Sequence, residues 1–191
     1  MTLQHNASRR SLLTSGGKTL SLAGLTVLIG ASAADLANAA TNPGQDVQLL
    51  NAAIALEHEG IAAYTLAAGS GLLQPAVVDI GVKFRGHHQR HRDELIKAVQ
   101  ALGGTPVAAK TDAEYAAALN AGSLHNQADV LRLALGLERG AANAYLGLIP
   151  SLGPNFHQIA ARMAGDEAFH AAILGNALGE PIPTEGLMFG A

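Results

Sequence analysis

Residues 163–174 read MAGDEAFHAAIL, an apolar helical stretch whose inner face contains two ionisable residues. Met163 and Leu174 follow the four-three spacing that places side chains on one face of an α-helix. Glu167 and His170 occupy the two positions of that face between them. Burying an isolated charge is costly, so such a group normally becomes neutral or finds a partner. The stretch therefore predicts a helix whose buried face holds a polar partner.

Three other segments have an apolar seam interrupted in the same way. These seams are Leu50, Ile54, Glu57, Ile61 and Tyr64; Val77, Gly81, Phe84, His88, His91, Leu95, Ala98 and Leu102; and Leu131, Leu135, Glu138, Ala142 and Tyr145. We call the six ionisable seam residues the six-residue cluster: Glu57, His88, His91, Glu138, Glu167 and His170. Six such groups in the middle of a bundle require a common partner, and a metal ion is the simplest one.

The chain pattern predicts an all-α four-helix bundle. Helix boundaries are expected near residues 42–69, 75–103, 126–150 and 155–179. Short links join helices 1 and 2 and helices 3 and 4, so each pair forms an antiparallel hairpin. Residues 104–125 form a long crossover between helices 2 and 3, and the capping box TDAE at residues 111–114 predicts a short helix over 115–119.

The two hairpins resemble each other, which favours an internal duplication. Glu57 and Tyr64 are spaced like Glu138 and Tyr145, 81 residues later. HxxHxxxL at residues 88–95 matches ExxHxxxL at residues 167–174 at an offset of 79. Glycines Gly60, Gly81, Gly136, Gly140, Gly147 and Gly165 lie inside the helices, where we expect them to allow close helix approach.

Residues 1–39 are predicted to be a cleaved export signal. SRRSLL at residues 8–13 resembles a twin-arginine signal, and an apolar run over 20–34 precedes the small-residue site Ala37-Asn38-Ala39. A membrane anchor is the alternative, but the run is short and interrupted by Ser and Gly. We therefore expect residues 40–191 to be one domain, periplasmic or otherwise exported, with no membrane contact after cleavage.

Composition restricts the kind of site. Removing residues 1–39 removes three of the 12 Lys and Arg and one of the 15 Asp and Glu, which leaves a net charge of −5. This acidity and the absence of a basic stripe argue against a nucleic-acid partner. The chain has no cysteine, so any metal site must use histidine and carboxylate, which suits iron, manganese or zinc.

Together these motifs resemble the ferritin-like superfamily, and within it the exported bacterial ferritin-like domain proteins. The resemblance is carried by ALEHE at 55–59, HRDEL at 91–95 with LGGTP at 102–106, and AGDEAFH at 164–170. It implies one carboxylate from each of two helices, Glu-x-x-His from each of the other two, and two iron or manganese ions that react with oxygen or peroxide. The residues that match this pattern are Glu57, His91, Glu138, Glu167 and His170.

His88 departs from the pattern, which would place a glutamate there to bridge two metals. A neutral imidazole has one lone pair and cannot bridge, and three carboxylates leave two divalent ions with a charge of +1. A bridging hydroxide or a single metal would resolve this, so mononuclear iron or zinc is the alternative to two ions. Glu94 could substitute, but it lies beside the seam.

Residues next to the cluster are expected to have lesser roles. His58 and His87 should point away from the seam, while Tyr64 and Tyr145 should be core tyrosines hydrogen-bonded to a ligand.

Three functions remain open at this point. The first is an exported metalloprotein with ferroxidase-like or peroxidase/catalase-like activity against oxidative stress, with a homodimer as an open possibility. The second is a non-catalytic envelope protein associated with stress or desiccation, with a structural metal, and the third is a bundle without metal.

Overall fold

A computed structural model describes residues 42–190, and within this range all regular structure is helical. The α-helices are α1 (Pro43–Gly69), α2 (Pro75–Ala101), α3 (Asp112–Ala118), α4 (Gln127–Leu148) and α5 (Pro154–Ala177), with 3-10 turns at Ala121–Ser123 and Ile149–Ser151. The export signal proposed for residues 1–39 lies outside the described residues. Within the described range, no helix is both long enough and apolar enough to cross a membrane.

Helices α1 and α3 begin where a local side chain accepts a hydrogen bond from a free N–H group of the first turn. Asn42 accepts a hydrogen bond from the Gln45 amide, and Pro43 occupies the first helical position of α1. Thr111 and Glu114 form the predicted capping box of α3. That helix spans Asp112–Ala118, so it starts three residues before the predicted position because the box residues themselves belong to its first turn.

The four long helices confirm the predicted bundle. α1 packs along α2 and α4 packs along α5, which gives two hairpins connected by the crossover that contains α3. The crossover lies against α1, because the Asn51 side chain donates to the Thr105 carbonyl at 3.0 Å and accepts from the Val107 amide at 2.7 Å. Tyr115 and Leu119 of the crossover are buried there.

Two apolar clusters occupy the bundle on either side of the six-residue cluster. The larger one contains Leu50, Ile54, Leu95, Tyr145, Leu148, Leu152 and Met163. The smaller one contains Tyr64, Phe84, Leu131, Leu135 and Leu174. The ionisable residues therefore occupy the middle of a bundle whose apolar ends shield them from water.

The glycines allow close packing at only some of the expected places. A Cβ atom on Gly81 would lie 3.4 Å from the Tyr64 ring. At Gly136, Gly147 and Gly165, no neighbouring side chain or other helix lies within 4 Å of such an atom. The expectation was wrong at these three positions, because each is exposed rather than facing another helix.

Asp46 joins the start of α1 to the start of α5. Its side chain is buried, and its Oδ1 accepts a hydrogen bond from the Gly153 amide at 2.8 Å. A Cβ atom on Gly153 would lie 2.7 Å from Asp46 Oδ2, so a side chain there would displace the Asp46 carboxylate from its present position. A buried amide without a partner is costly, and Asp46 supplies that partner.

Asp46→Ala should lower the free energy of unfolding by about 1–3 kcal/mol, since it leaves the Gly153 amide buried without an acceptor. Asp46→Asn should cost less, because its carbonyl oxygen can still accept. Urea unfolding of the metal-free protein measures both, with Asp79→Ala on the exposed side of α2 as the matched control. Equal stability of the Asp46→Ala and Asp79→Ala proteins would contradict this assignment.

Candidate metal centre

All six residues of the cluster meet in the buried middle of the bundle. Their exposure ranges from 0% for Glu167 and His170 to 7% for His91. α1 and α4 each contribute one glutamate, and α2 and α5 each contribute two residues one helical turn apart. The seam spacing therefore placed all six side chains correctly in the core.

The cluster divides into two overlapping groups of possible metal ligands. The first contains Glu57, His88, His91 and Glu167, and the second contains His88, Glu138, Glu167 and His170. In each group, one nitrogen or oxygen atom from every residue lies within 4.8 Å of the others. His88 and Glu167 belong to both groups, so the two groups lie side by side and share these two residues.

Glu167 extends one carboxylate oxygen toward each group. Its Oε1 lies 3.0 Å from His91 Nδ1, and its Oε2 lies 3.2 Å from His170 Nδ1. A carboxylate whose two oxygens face different groups has the arrangement required of a bridge between two ions. Glu167 can therefore fill the bridging role for which the resemblance implied a glutamate at position 88.

His88 lies between the same two groups. Its Nδ1 is 2.8 Å from Glu57 Oε2, and its Nε2 is 3.3 Å from Glu138 Oε1. Its ring stacks on Tyr64, with the ring centroids 5.5 Å apart. A Cβ atom on Gly60 would lie 3.0 Å from His88 Nδ1, so the absence of a side chain at Gly60 makes room for the imidazole.

The two tyrosines bind the glutamates of the opposite hairpin. The Tyr64 hydroxyl donates to Glu138, and the Tyr145 hydroxyl donates to Glu57. Burial and the nearby glutamate charges raise the pKa of both tyrosines far above the usual value, so both remain neutral donors. The two predicted core tyrosines are therefore each hydrogen-bonded to a glutamate of the six-residue cluster.

Two residues outside the seam contact the Nε2 atoms of His91 and His170, the ring nitrogens that face away from the middle of the cluster. His91 Nε2 lies 3.1 Å from Asp166 Oδ2, and His170 Nε2 lies 2.8 Å from His87 Nδ1. Such contacts orient an imidazole and determine which nitrogen is free to bind a metal. The Nδ1 atoms of His91 and His170 therefore face inward.

The expectation that His87 points away from the site was wrong, and the role of Asp166 was missed. Both residues directly precede a seam position and lie at the helix edge where α2 and α5 face each other, His87 partly buried and Asp166 exposed. The internal duplication contained the necessary signal, because the offset of 79 residues pairs His87 with Asp166.

The other neighbours lie outside the cluster. His58 bonds the Val107 carbonyl of the crossover at 3.3 Å, as expected for a residue that points away. Glu94 is exposed and binds Lys97 at 2.6 Å, so it does not replace a carboxylate at position 88.

Mutual pairing controls the charges in the metal-free cluster. Burial alone would lower the pKa of His91, but hydrogen bonds to Glu167 and Glu57 and their charges raise it to about 10. The same opposition raises the pKa values of His88 and His170. Burial would raise the pKa of Glu57 and Glu138, but hydrogen bonds from the histidines lower it.

Glu167 behaves differently, since burial outweighs its histidine hydrogen bonds and raises its pKa. Among the described residues, no buried side-chain nitrogen or oxygen lacks a hydrogen-bond partner. Protons on the imidazoles therefore supply the positive charge that the buried carboxylates require.

Two openings lead toward the cluster. A space of about 20 Å³ between α1 and α4 is lined by Glu59 and Gly60 and reaches Glu57 and Glu138. It has the size of one water molecule. A wider groove of about 610 Å³ between α2 and α5 is lined by His91 and Asp166 among others. Water and small ions can therefore approach the cluster from two sides.

The comparisons with known proteins agree with this architecture. The ferritin-like domain family matches residues 45–180. A conserved hypothetical protein from Mycobacterium tuberculosis has a solved structure that is similar at a TM-score of 0.61 and 25% identity, covering 75% of this chain and 99% of that one. No protein with a curated function matches. Because the family match spans most of the chain and the bundle has the same organisation, the chain belongs to the ferritin-like domain family.

Proposed function

We propose that this protein is an exported ferritin-like protein that binds two ions of iron or manganese in the six-residue cluster. The observation that carries the proposal is the position of Glu167, whose two oxygens face two separate groups of buried ligands. A buried ion pair that only stabilises the fold would need only one such group of residues.

The donor atoms fit this proposal. Three carboxylates and three imidazoles offer oxygen and nitrogen, which iron, manganese and zinc accept in proteins. Glu57 and His91 would hold one ion, Glu138 and His170 the other, with His88 and Glu167 between them. When bound, such a pair supplies one-electron chemistry toward oxygen or peroxide.

The chain itself supplies orientation and a dry environment. Asp166 and His87 hold His91 and His170 with their Nδ1 atoms inward. The hydroxyls of the two tyrosines hold the Glu57 and Glu138 carboxylates. The apolar clusters close both ends of the bundle to water, while the water-sized space and the wider groove at its sides are the routes by which oxygen or peroxide would reach the cluster. In this proposal the substrate is ferrous iron or peroxide.

His88 influences which metal is preferred. A third imidazole in place of a fourth carboxylate lowers the negative charge and adds a nitrogen donor, which favours zinc over manganese compared with a site of four carboxylates. A mononuclear iron or zinc site in the first group is the outcome if the second group binds weakly.

A second candidate function is a non-catalytic envelope protein with a structural metal or none. It is favoured by the complete mutual satisfaction of the cluster, because every buried side-chain nitrogen and oxygen in residues 42–190 already has a hydrogen-bond partner. Under this alternative, chelation lowers the melting temperature if the metal is structural and leaves it unchanged if no metal is bound. In both cases neither ferrous iron nor peroxide is turned over.

Variants should separate the two groups of ligands. Glu167→Ala should abolish binding of both ions, because Glu167 belongs to both groups, whereas Glu57→Ala and Glu138→Ala should each retain one. Isothermal titration with Mn²⁺ and Co²⁺ measures the stoichiometry, with Glu94→Ala as an exposed control. Retention of two ions by Glu167→Ala would contradict the proposed bridge.

The pH dependence of stability should change sign on metal binding. The folded pKa of His91, about 10, exceeds its ordinary value of 6.5, so its contribution is complete below pH 6.5 and is lost as pH rises toward 10. The free energy of unfolding of the metal-free protein should therefore fall by roughly a few kcal/mol between pH 6.5 and pH 10. Metal binding must displace these protons, so the affinity of the protein for the metal, and the stability that the metal adds, should rise with pH over the same range.

Thermal unfolding from pH 6 to 10, with and without Mn²⁺, measures this difference. His91→Gln should flatten the profile of the metal-free protein, while the exposed His125→Gln should leave it unchanged. A metal-free protein that becomes more stable with rising pH would show that the histidines are neutral.

Catalysis is tested separately from binding. The loaded protein should oxidise ferrous iron or consume peroxide faster than free metal at equal concentration, and Glu167→Ala should reduce the rate by about 10²-fold or more, since it loses both ions. Oxygen consumption and peroxide absorbance are the measurements. A protein that binds two ions yet shows neither reaction supports the non-catalytic candidate.

A further inference from the structure

One end of the bundle contains a cavity of about 490 Å³ that plays no part in the metal site. It lies between the C-terminal end of α1, the first half of α4 and the crossover. We call it the α1–α4 cavity, and the residues that define its wall include Tyr64, Ala67, Leu119, Leu124, Val130 and Ala134.

A second, smaller cavity lies on the other side of part of this wall. It measures about 60 Å³ and shares Tyr64, Ala67, Val130 and Ala134 with the first. Phe84 lies on its wall and stacks on His170, with the ring centroids 4.0 Å apart. The smaller cavity therefore places apolar space next to the aromatic rings that cover the cluster.

The opposite end of the bundle shows what the same positions look like when they are filled. At the duplication offset of 81, Ala67 corresponds to Leu148, which is 1% exposed in the larger apolar cluster. Val130 corresponds to the buried Leu49.

Thr65 corresponds to Leu146, which packs against the same cluster as Leu148. Three lining positions thus have smaller side chains at the end that contains the cavity, whereas three others, Leu66, Leu72 and Leu133, have larger ones than their counterparts. These smaller side chains leave room for an occupant at this end that the close-packed opposite end does not have.

The wall determines the chemistry of that occupant. None of the lining residues is charged, and the Thr65 and Ser70 hydroxyls already donate to the Ile61 and Ala67 carbonyls at 2.7 Å. The Arg85 guanidinium meets this wall only at the exposed rim, where it donates to the Thr65 hydroxyl at 3.5 Å. A charged group placed against the apolar part of the wall would lose its water without gaining a partner there. The volume falls within the range of small-molecule sites, about 300–1,000 Å³.

The shape argues against a protein partner. A protein partner would bury a broad exposed apolar surface, yet no residue lining the α1–α4 cavity belongs to the large exposed hydrophobic residues of the described chain. The apolar surface here lines a concave space instead.

We propose that the α1–α4 cavity binds an uncharged, mainly apolar small molecule. The molecule lies against the Tyr64 ring, whose hydroxyl donates to Glu138, and it takes the space that Leu148 and Leu49 fill at the other end. This proposal does not depend on metal binding.

Titration of the purified protein with N-phenyl-1-naphthylamine, an uncharged apolar fluorophore, tests the proposal. Saturable binding at one site per chain is expected. Ala67→Leu, which copies Leu148, and Val130→Leu, which copies Leu49, should each weaken binding by about tenfold or more. Ala55→Leu on the exposed face of α1 is the matched control and should bind like the unmodified protein.

Circular dichroism shows whether each variant is folded, and Val130→Leu provides the test if Ala67→Leu is not. Absence of saturable binding would overturn the proposal. So would folded Ala67→Leu and Val130→Leu proteins that bind the fluorophore with the same affinity as the unmodified protein. Tighter binding of the charged 8-anilinonaphthalene-1-sulfonate would overturn the uncharged class. Binding should survive chelation and Glu167→Ala, which separates this outcome from failure of the metal site.

Discussion

The structure depends on how six buried ionisable groups compensate one another. Each carboxylate or imidazolium would be costly to bury alone, and the cost is offset only where partners of opposite charge meet them at hydrogen-bonding distance. The four long helices bring those partners together, and the apolar clusters at both ends keep water away. A divalent metal can replace the protons because the same carboxylates that raise the histidine pKa values attract any cation.

The two hairpins contribute to this arrangement reciprocally. Tyr64 binds a glutamate of the second hairpin and Tyr145 binds one of the first, and His91 and His170 are likewise held by residues of the opposite hairpin. The hairpins therefore cannot separate without exposing both halves of the cluster. The symmetry is incomplete, because α2 carries two histidines where α5 carries Asp166 and Glu167. Glu167 is consequently the only carboxylate that belongs to both groups. The outer histidine nitrogens also meet different residues, Asp166 in the first group and His87 in the second.

The sequence predicted the bundle and all six core residues, because seam spacing and burial follow from helix periodicity alone. It did not predict the shared role of Glu167, since the direction of each carboxylate oxygen depends on side-chain torsions and on four helices packing at once. His87 was misplaced because it lies one residue from the seam, at an edge whose environment depends on the neighbouring helix. The α1–α4 cavity was missed for a similar reason: small residues such as Ala67 look compatible with close packing until the partner helices are placed.

Anomalous X-ray diffraction from crystals of the protein loaded with Mn²⁺ or Fe²⁺ tests the central claim most directly. The account predicts two anomalous peaks inside the bundle, one beside Glu57 and His91 and one beside Glu138 and His170, with Glu167 contacting both. One peak in the first group would reduce the site to a mononuclear one. No peak within the cluster at saturating metal would contradict the account, and would leave the six residues as a network that satisfies itself with protons.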